Sequence, residues 1–234
     1  WMDWTNTVAL PARRGLHRRL NVPPPDKRDL KLISEAQGTF SKSMQILDDR
    51  LAKSGLRFTH AYASAPVCSP YRAALLTGQY PARVGILDYL RPDSENGLST
   101  KHVTLPEMFH KNGYSTGMIG KWHLSGYKYH GAKKVVRPID HGFEWNIGSE
   151  IKGVGNGANF SPYIFRTQPV SWVDLPKNKL GKGEYLTDRL NHEAVGFIEQ
   201  NKNKPFFLYL AHYAPHTILN GRPDLVTKYR KKHV

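Results

Sequence analysis

The run Cys68-Ser69-Pro70-Tyr71-Arg72-Ala73-Ala74-Leu75-Leu76-Thr77-Gly78 contains the only cysteine of the chain and decides how the rest is read. A lone thiol cannot close an intrachain disulfide, so Cys68 is a small buried hydrophobe, a metal ligand or a reactive group. Ser69 can cap a helix whose first residue is Pro70, where a missing N–H costs nothing, and Gly78 is a natural stop after Ala73, Ala74, Leu75 and Leu76. Cys68 is then expected just before a helix N-terminus, where backbone N–H groups and the positive dipole end favour an anion. Arg72, one turn inside, adds a planar fork of donors suited to an oxyanion. The spacing describes an anion site with a sulfur nucleophile precursor at its mouth.

Two further blocks place titratable side chains just past short strands. Thr104 and Glu107 form a capping box around Pro106, Gly113 ends that helix, and Ser115 to Ile119 reads as a strand. Lys121 and His123 follow its carboxyl end, where open α/β sheets bind ligands. The bland alternative is a solvated lysine and a loop-packed histidine. Phe206 to Leu210 is a continuous apolar run, the pattern of a strand covered on both faces, and His212 and His216 lie beyond it. For His212 the expectation is a hydrogen-bonded structural histidine.

Taken together, the blocks resemble the type I sulfatases. Cys-x-Pro-x-Arg, four residues and Thr-Gly match that family's signature, Gly120-Lys121-Trp122-His123 its next block, and Pro205-Phe206-Phe207 running to Ala214-Pro215-His216 a third. The resemblance implies an alkaline-phosphatase-like α/β fold with a mainly parallel central sheet sandwiched by helices, here incomplete at both ends. It implies that Cys68 is oxidised to formylglycine by a formylglycine-generating or anaerobic sulfatase-maturating enzyme, and that the hydrated aldehyde attacks the sulfur of a sulfate ester. Arg72 would orient and activate the hydrate, Lys121 and His123 would contact the sulfate oxygens and the leaving-group side, and His216 would touch the sulfate. Calcium would hold an oxygen of the modified Cys68 and balance the sulfate charge. The family's remaining metal ligands, an Asp-Asp pair at the start and a later Asp-Asn pair, are not assigned in this sequence, so the fragment is expected to be inactive. Asp48-Asp49, the only adjacent acidic pair, reads as a solvated helix face. The substrate class is a sulfated small molecule or sulfated glycan. Two other readings stand beside it: a phosphonate or phosphate monoester hydrolase of the same superfamily, and a non-catalytic binder of acidic glycans.

The remaining periodicities suit a layered α/β chain. Met44, Leu47 and Leu51 mark a helix stopped by Gly55, and Leu56 to Ala63 a strand leading to the cysteine loop. Leu186, Leu190, Ala194, Phe197 and Ile198 define one face of another helix. From His130 to Lys182 the chain is rich in Gly, Asn and Pro and reads as an irregular insertion on the substrate side. Residues 1–40, with the basic cluster Arg13 to Arg28 and Pro23-Pro24-Pro25, read as an atypical segment, disordered or frame-shifted, and 41–234 as a partial catalytic domain.

A net charge of +15 over 234 residues suits an anionic partner. Much of the excess sits at the ends, in Arg13, Arg14, Arg18 and Arg19 and in Lys228, Arg230, Lys231 and Lys232. No zinc spacing or recognition motif accompanies it, so nucleic acid is not expected and an anionic polysaccharide fits better. No apolar stretch is long enough to span a membrane and no leader opens the chain. Sulfatases are often periplasmic or secreted, and the compartment of this chain is left unassigned.

Overall fold

In Ser115-Thr116-Gly117-Met118-Ile119-Gly120 four residues are small, Met118 and Ile119 enter the cores on opposite faces, and all six are buried. In the computed structural model this strand, β1 (Ser115–Gly120), is the middle of a three-stranded parallel sheet. It lies between β2 (Trp145–Ile147) and β5 (Phe206–Ala211), with Gly117 opposite Trp145 on one side and Leu208 on the other. The structure describes residues 55, 58, 60–126, 132, 135–149, 158–165, 168–169, 172–175, 179–181, 183–216 and 219–231. The chain divides into two units, residues 7–62 falling in one and 63–234 in the other, and the architecture below is that of the second.

Alternation along β5 builds two cores. Phe207 and Tyr209 pack with Ala73, Leu76, Met118, Trp122 and Phe143, whereas Phe206, Leu208 and Leu210 pack with Ile119, Leu186, Leu190 and Phe197. The first core is covered by α1 (Cys68–Thr77), α2 (Pro81–Val84) and α3 (Leu105–Lys111), the second by α4 (Leu186–Asn201). This is the expected parallel sheet with helices on both faces, the α/β class predicted above. A small hairpin, β3 (Ile164–Phe165) with β4 (Gln168–Pro169), stands apart from it, and α5 (Pro223–Arg230) follows β5.

Close approach explains two glycines. A Cβ at Gly117 would sit 2.7 Å from the Phe197 ring, so only glycine lets α4 lie flat on β1. Gly120, at φ +98°, turns the chain out of the strand where a Cβ would collide with the Ala211 carbonyl. The expected capping box is present, with the Thr104 N–H donating to Glu107 Oε2 at 2.8 Å, and Gly113 takes a left-handed φ of +80° just after α3.

Several expectations are corrected. The helix of the cysteine run begins at Cys68, with Val67 in the capping position and no side-chain cap, so Ser69 lies inside the first turn. Ile198 is 40% exposed, because the buried stripe of α4 runs through Leu186, Leu190, Ala194, Phe197 and Asn201, and residue 198 is rotated off it. Phe58 and Tyr62, taken as part of a strand, are 72% and 82% exposed, and described residues in that stretch form no strand, there being no packed face for the alternation to fill. The stretch 130–182 is not all insertion, since Trp145–Ile147 pairs in the main sheet. Most of β5 is half-buried rather than fully covered, since among the described residues it pairs with β1 on one side only. Residues 44–51 lie outside the described residues.

Candidate active site

At the carboxyl ends of β1 and β5 the chain brings its cationic residues together. Cys68, partly exposed, is the first residue of α1, and Arg72 follows one turn later with its side chain 1% exposed. Arg72 Nη1 donates to the Lys121 carbonyl at 2.6 Å and to the Tyr209 hydroxyl at 3.3 Å, so one guanidinium ties α1 to the ends of both strands. Its Nε is buried without a hydrogen-bond partner. Lys121 is fully buried, and its N–H continues the ladder by donating to the Ala211 carbonyl at 2.7 Å.

His123 is held in the left-handed region at φ +54°, unusual for a residue with a Cβ, and is 3% exposed. Its Nε2 lies 2.8 Å from the Leu90 carbonyl. A carbonyl only accepts, so Nε2 carries the proton and Nδ1 keeps a lone pair; Nδ1 is buried with no hydrogen-bond partner. Burial, then repulsion from Lys121, pushes the imidazole down to about 3 against the opposing Leu90 bond, with Arg72 and His216 adding further repulsion. The ring is therefore neutral at physiological pH.

His216 is half-buried in the turn beyond β5, which passes through a cis Ala214–Pro215 peptide; its N–H donates to the Tyr213 carbonyl at 2.9 Å. Its repulsion of His123 places the two within electrostatic reach. It lines a cavity of about 300 Å³ with Asn159, Tyr185, Tyr213 and Asn220. His212 departs from expectation, because its Nδ1 is buried without a hydrogen bond and burial lowers its pKa.

Arg72, Lys121, His123 and His216 thus gather around one end of the sheet, with Cys68 one turn before Arg72 on α1. Sequence reading missed Tyr209 and Ser69. Tyr209 was within reach: period two puts it on the same face as Phe207 and Ala211, toward α1.

A sulfatase family model matches residues 28–233. The chain belongs to the sulfatase family. It is 32% identical to an arylsulfatase of Hemicentrotus pulcherrimus over 196 residues, covering 78% of this chain and 35% of that protein. It is 33% identical to human N-acetylgalactosamine-6-sulfatase over 208 residues, covering 79% and 37%. Among solved structures it is similar to Ps i-CgsB in complex with k-i-k-neocarrahexaose (TM-score 0.58, 30% identity, 73% of this chain and 39% of that one). It is also similar to BT4656 in complex with its substrate D-glucosamine-2-N,6-O-disulfate (TM-score 0.55, 27% identity, 78% and 32%). The chain spans about a third of the length of these curated relatives.

Calcium and formylglycine are properties of the sulfatase family, and the two fare differently against these side chains. Among the described residues no three His, Cys, Asp or Glu side chains gather to hold a metal. Arg72, Lys121, His123 and His216 present guanidinium, ammonium and imidazole nitrogens, whereas calcium takes oxygen ligands, so these described residues do not fit it. A formylglycine at position 68 does fit: the side chain is partly exposed at a helix N-terminus, with Arg72 one turn away. No described helix of this sulfatase chain is long and apolar enough to cross a membrane.

Proposed function

We propose that this sulfatase chain carries the nucleophile and sulfate-gripping part of a sulfuric ester hydrolase, lying within residues 41–234, with formylglycine made from Cys68. The observation that supports it best is the burial of Arg72 and Lys121, 1% and 0% exposed, beside a neutral histidine at the end of a parallel sheet. A buried guanidinium held only by a carbonyl and a phenol, as Arg72 is, is costly unless an anion meets it, and a sulfate group supplies that charge. The modified residue supplies the oxygen nucleophile toward sulfur. Arg72 holds the first turn of α1 against both strand ends, Lys121 and His216 bind sulfate oxygens, and His123 lies on the leaving-group side, where its Nδ1 lone pair accepts a hydrogen bond from a substrate hydroxyl.

The substrate class is a sulfated carbohydrate. Ps i-CgsB and BT4656 were each solved with a saccharide, BT4656 with a sulfated one. The cavity beside His216, with the amides of Asn159 and Asn220 and the ring of Tyr185, has the lining that binds sugar hydroxyls and ring faces. A formylglycine-generating or anaerobic maturating enzyme is the partner that modifies Cys68. This chain is expected to be inactive by itself, so the test is turnover of aryl sulfate and of aryl phosphonate by the full-length protein co-produced with such an enzyme. Cys68→Ala should abolish sulfate hydrolysis while shifting the thermal midpoint little, since one small side chain replaces another. Phosphonate turnover exceeding sulfate turnover would overturn the assignment.

A further inference from the structure

Ser69 does not cap its helix, and its hydroxyl is engaged elsewhere. Fully buried beside Cys68, Ser69 Oγ donates to the His123 carbonyl at 2.8 Å and accepts from the Leu90 N–H at 3.0 Å. Leu90 returns the contact, its carbonyl accepting from His123 Nε2 at 2.8 Å. Ser69 and two residues 21 and 54 positions away in sequence thus close one ring of hydrogen bonds. The ring fixes two things at once: the left-handed backbone of His123, and the position of the one acceptor that makes Nε2 the protonated nitrogen.

We infer that Ser69 is a positioning residue, which holds His123 in the Nε2–H tautomer through Leu90 and so keeps Nδ1 free of a proton. A left-handed backbone at a residue with a Cβ is strained and persists only where neighbours over-determine it. Ser69 and Leu90 supply that determination. Without the hydroxyl, the Leu90 N–H loses its acceptor and the His123 carbonyl loses its donor, and the segment carrying Leu90 is no longer tied to α1. The imidazole is then free to place its proton on either nitrogen.

The inference rests on the proposed function for its catalytic meaning, but its test is independent of turnover. Long-range proton–nitrogen correlation spectra of histidine-labelled protein, with the His123 signals assigned by a His123→Gln variant, read the tautomer directly. Wild type should show the Nε2–H form alone. Ser69→Ala should show a mixture of both tautomers. Ser69→Cys, which keeps the volume but hydrogen-bonds weakly, should lie between and covers the case in which the alanine variant fails to fold. Turnover of aryl sulfate per aldehyde captured by a hydrazide probe should fall about tenfold to a hundredfold in Ser69→Ala, in kcat more than in KM. A folded Ser69→Ala or Ser69→Cys protein whose His123 keeps the wild-type tautomer alone would overturn the inference. Absence of turnover in wild type would instead count against the sulfatase chemistry.

Discussion

Two arginines, Arg72 and Arg189, are buried to the same degree and are treated differently by their surroundings. Arg189, on α4, donates to Glu184 Oε1 and to Glu193 Oε1, each at 2.8 Å, and Tyr163 and Lys179 bond the same two carboxylates. Its charge is met by two acids, and the network ties residues 163 to 193 together. Arg72, on α1, is met by a carbonyl and a phenol, with Lys121 buried nearby. Arg189 is bonded to carboxylates, whereas the hydrogen-bond partners of Arg72 are both uncharged. Burial of charge is structural in the first case, and under the proposed function it serves an anion in the second.

The contrast predicts unequal costs. Glu184→Ala leaves Arg189 short of a partner and orphans the Tyr163 hydroxyl, and should destabilise the fold by about 3–5 kcal/mol. Arg72→Met removes a charge with no carboxylate bonded to it and should cost only about 1–3 kcal/mol, from the orphaned Lys121 carbonyl and lost ties to the strands. Urea midpoints measure both. Equal losses would break the distinction.

The pH dependence of stability sharpens the same comparison. The folded pKa of His123, about 3, lies below its ordinary value of 6.5, so the unfolded chain takes up the proton first. That contribution is complete above pH 6.5 and is lost as pH falls toward 3, at about 1.4 kcal/mol per pH unit for one proton. His141 and His212, both lowered by burial, act in the same direction. Glu193, held below the ordinary carboxylate range against its own burial by Lys179 and Arg189, acts only at lower pH. Stability measured between pH 6.5 and 5 should therefore fall in wild type, and His123→Gln should remove about one proton's share of the slope. An unchanged slope in that variant would show that His123 is not buried as a neutral ring.

What could be read in the sequence followed from local rules. Gly120-Lys121-Trp122-His123 after a run of small residues, and His216 after Phe206 to Leu210, place their side chains at strand ends because a strand's direction is set by the chain itself. The reading of Ser69 failed because a serine before a proline satisfies every local capping rule, yet two partners distant in sequence claim its hydroxyl. Trp145 to Ile147 was missed because three residues amid Gly and Asn carry no period, and its strand character comes from pairing with β1. The left-handed backbone of His123 has no signature in its neighbours; only the hydrogen-bond ring explains it.

The central claim is that the chemistry belongs to the modified form of Cys68 and not to its thiol. The decisive experiment prepares the full-length protein with graded amounts of the maturating enzyme and measures in each sample the aldehyde fraction by hydrazide capture and the rate of sulfate ester hydrolysis. The rate should rise in proportion to the aldehyde fraction and extrapolate to zero with the thiol alone. Hydrolysis that persists with unmodified Cys68, or a fully converted protein that leaves sulfate esters intact, would contradict it.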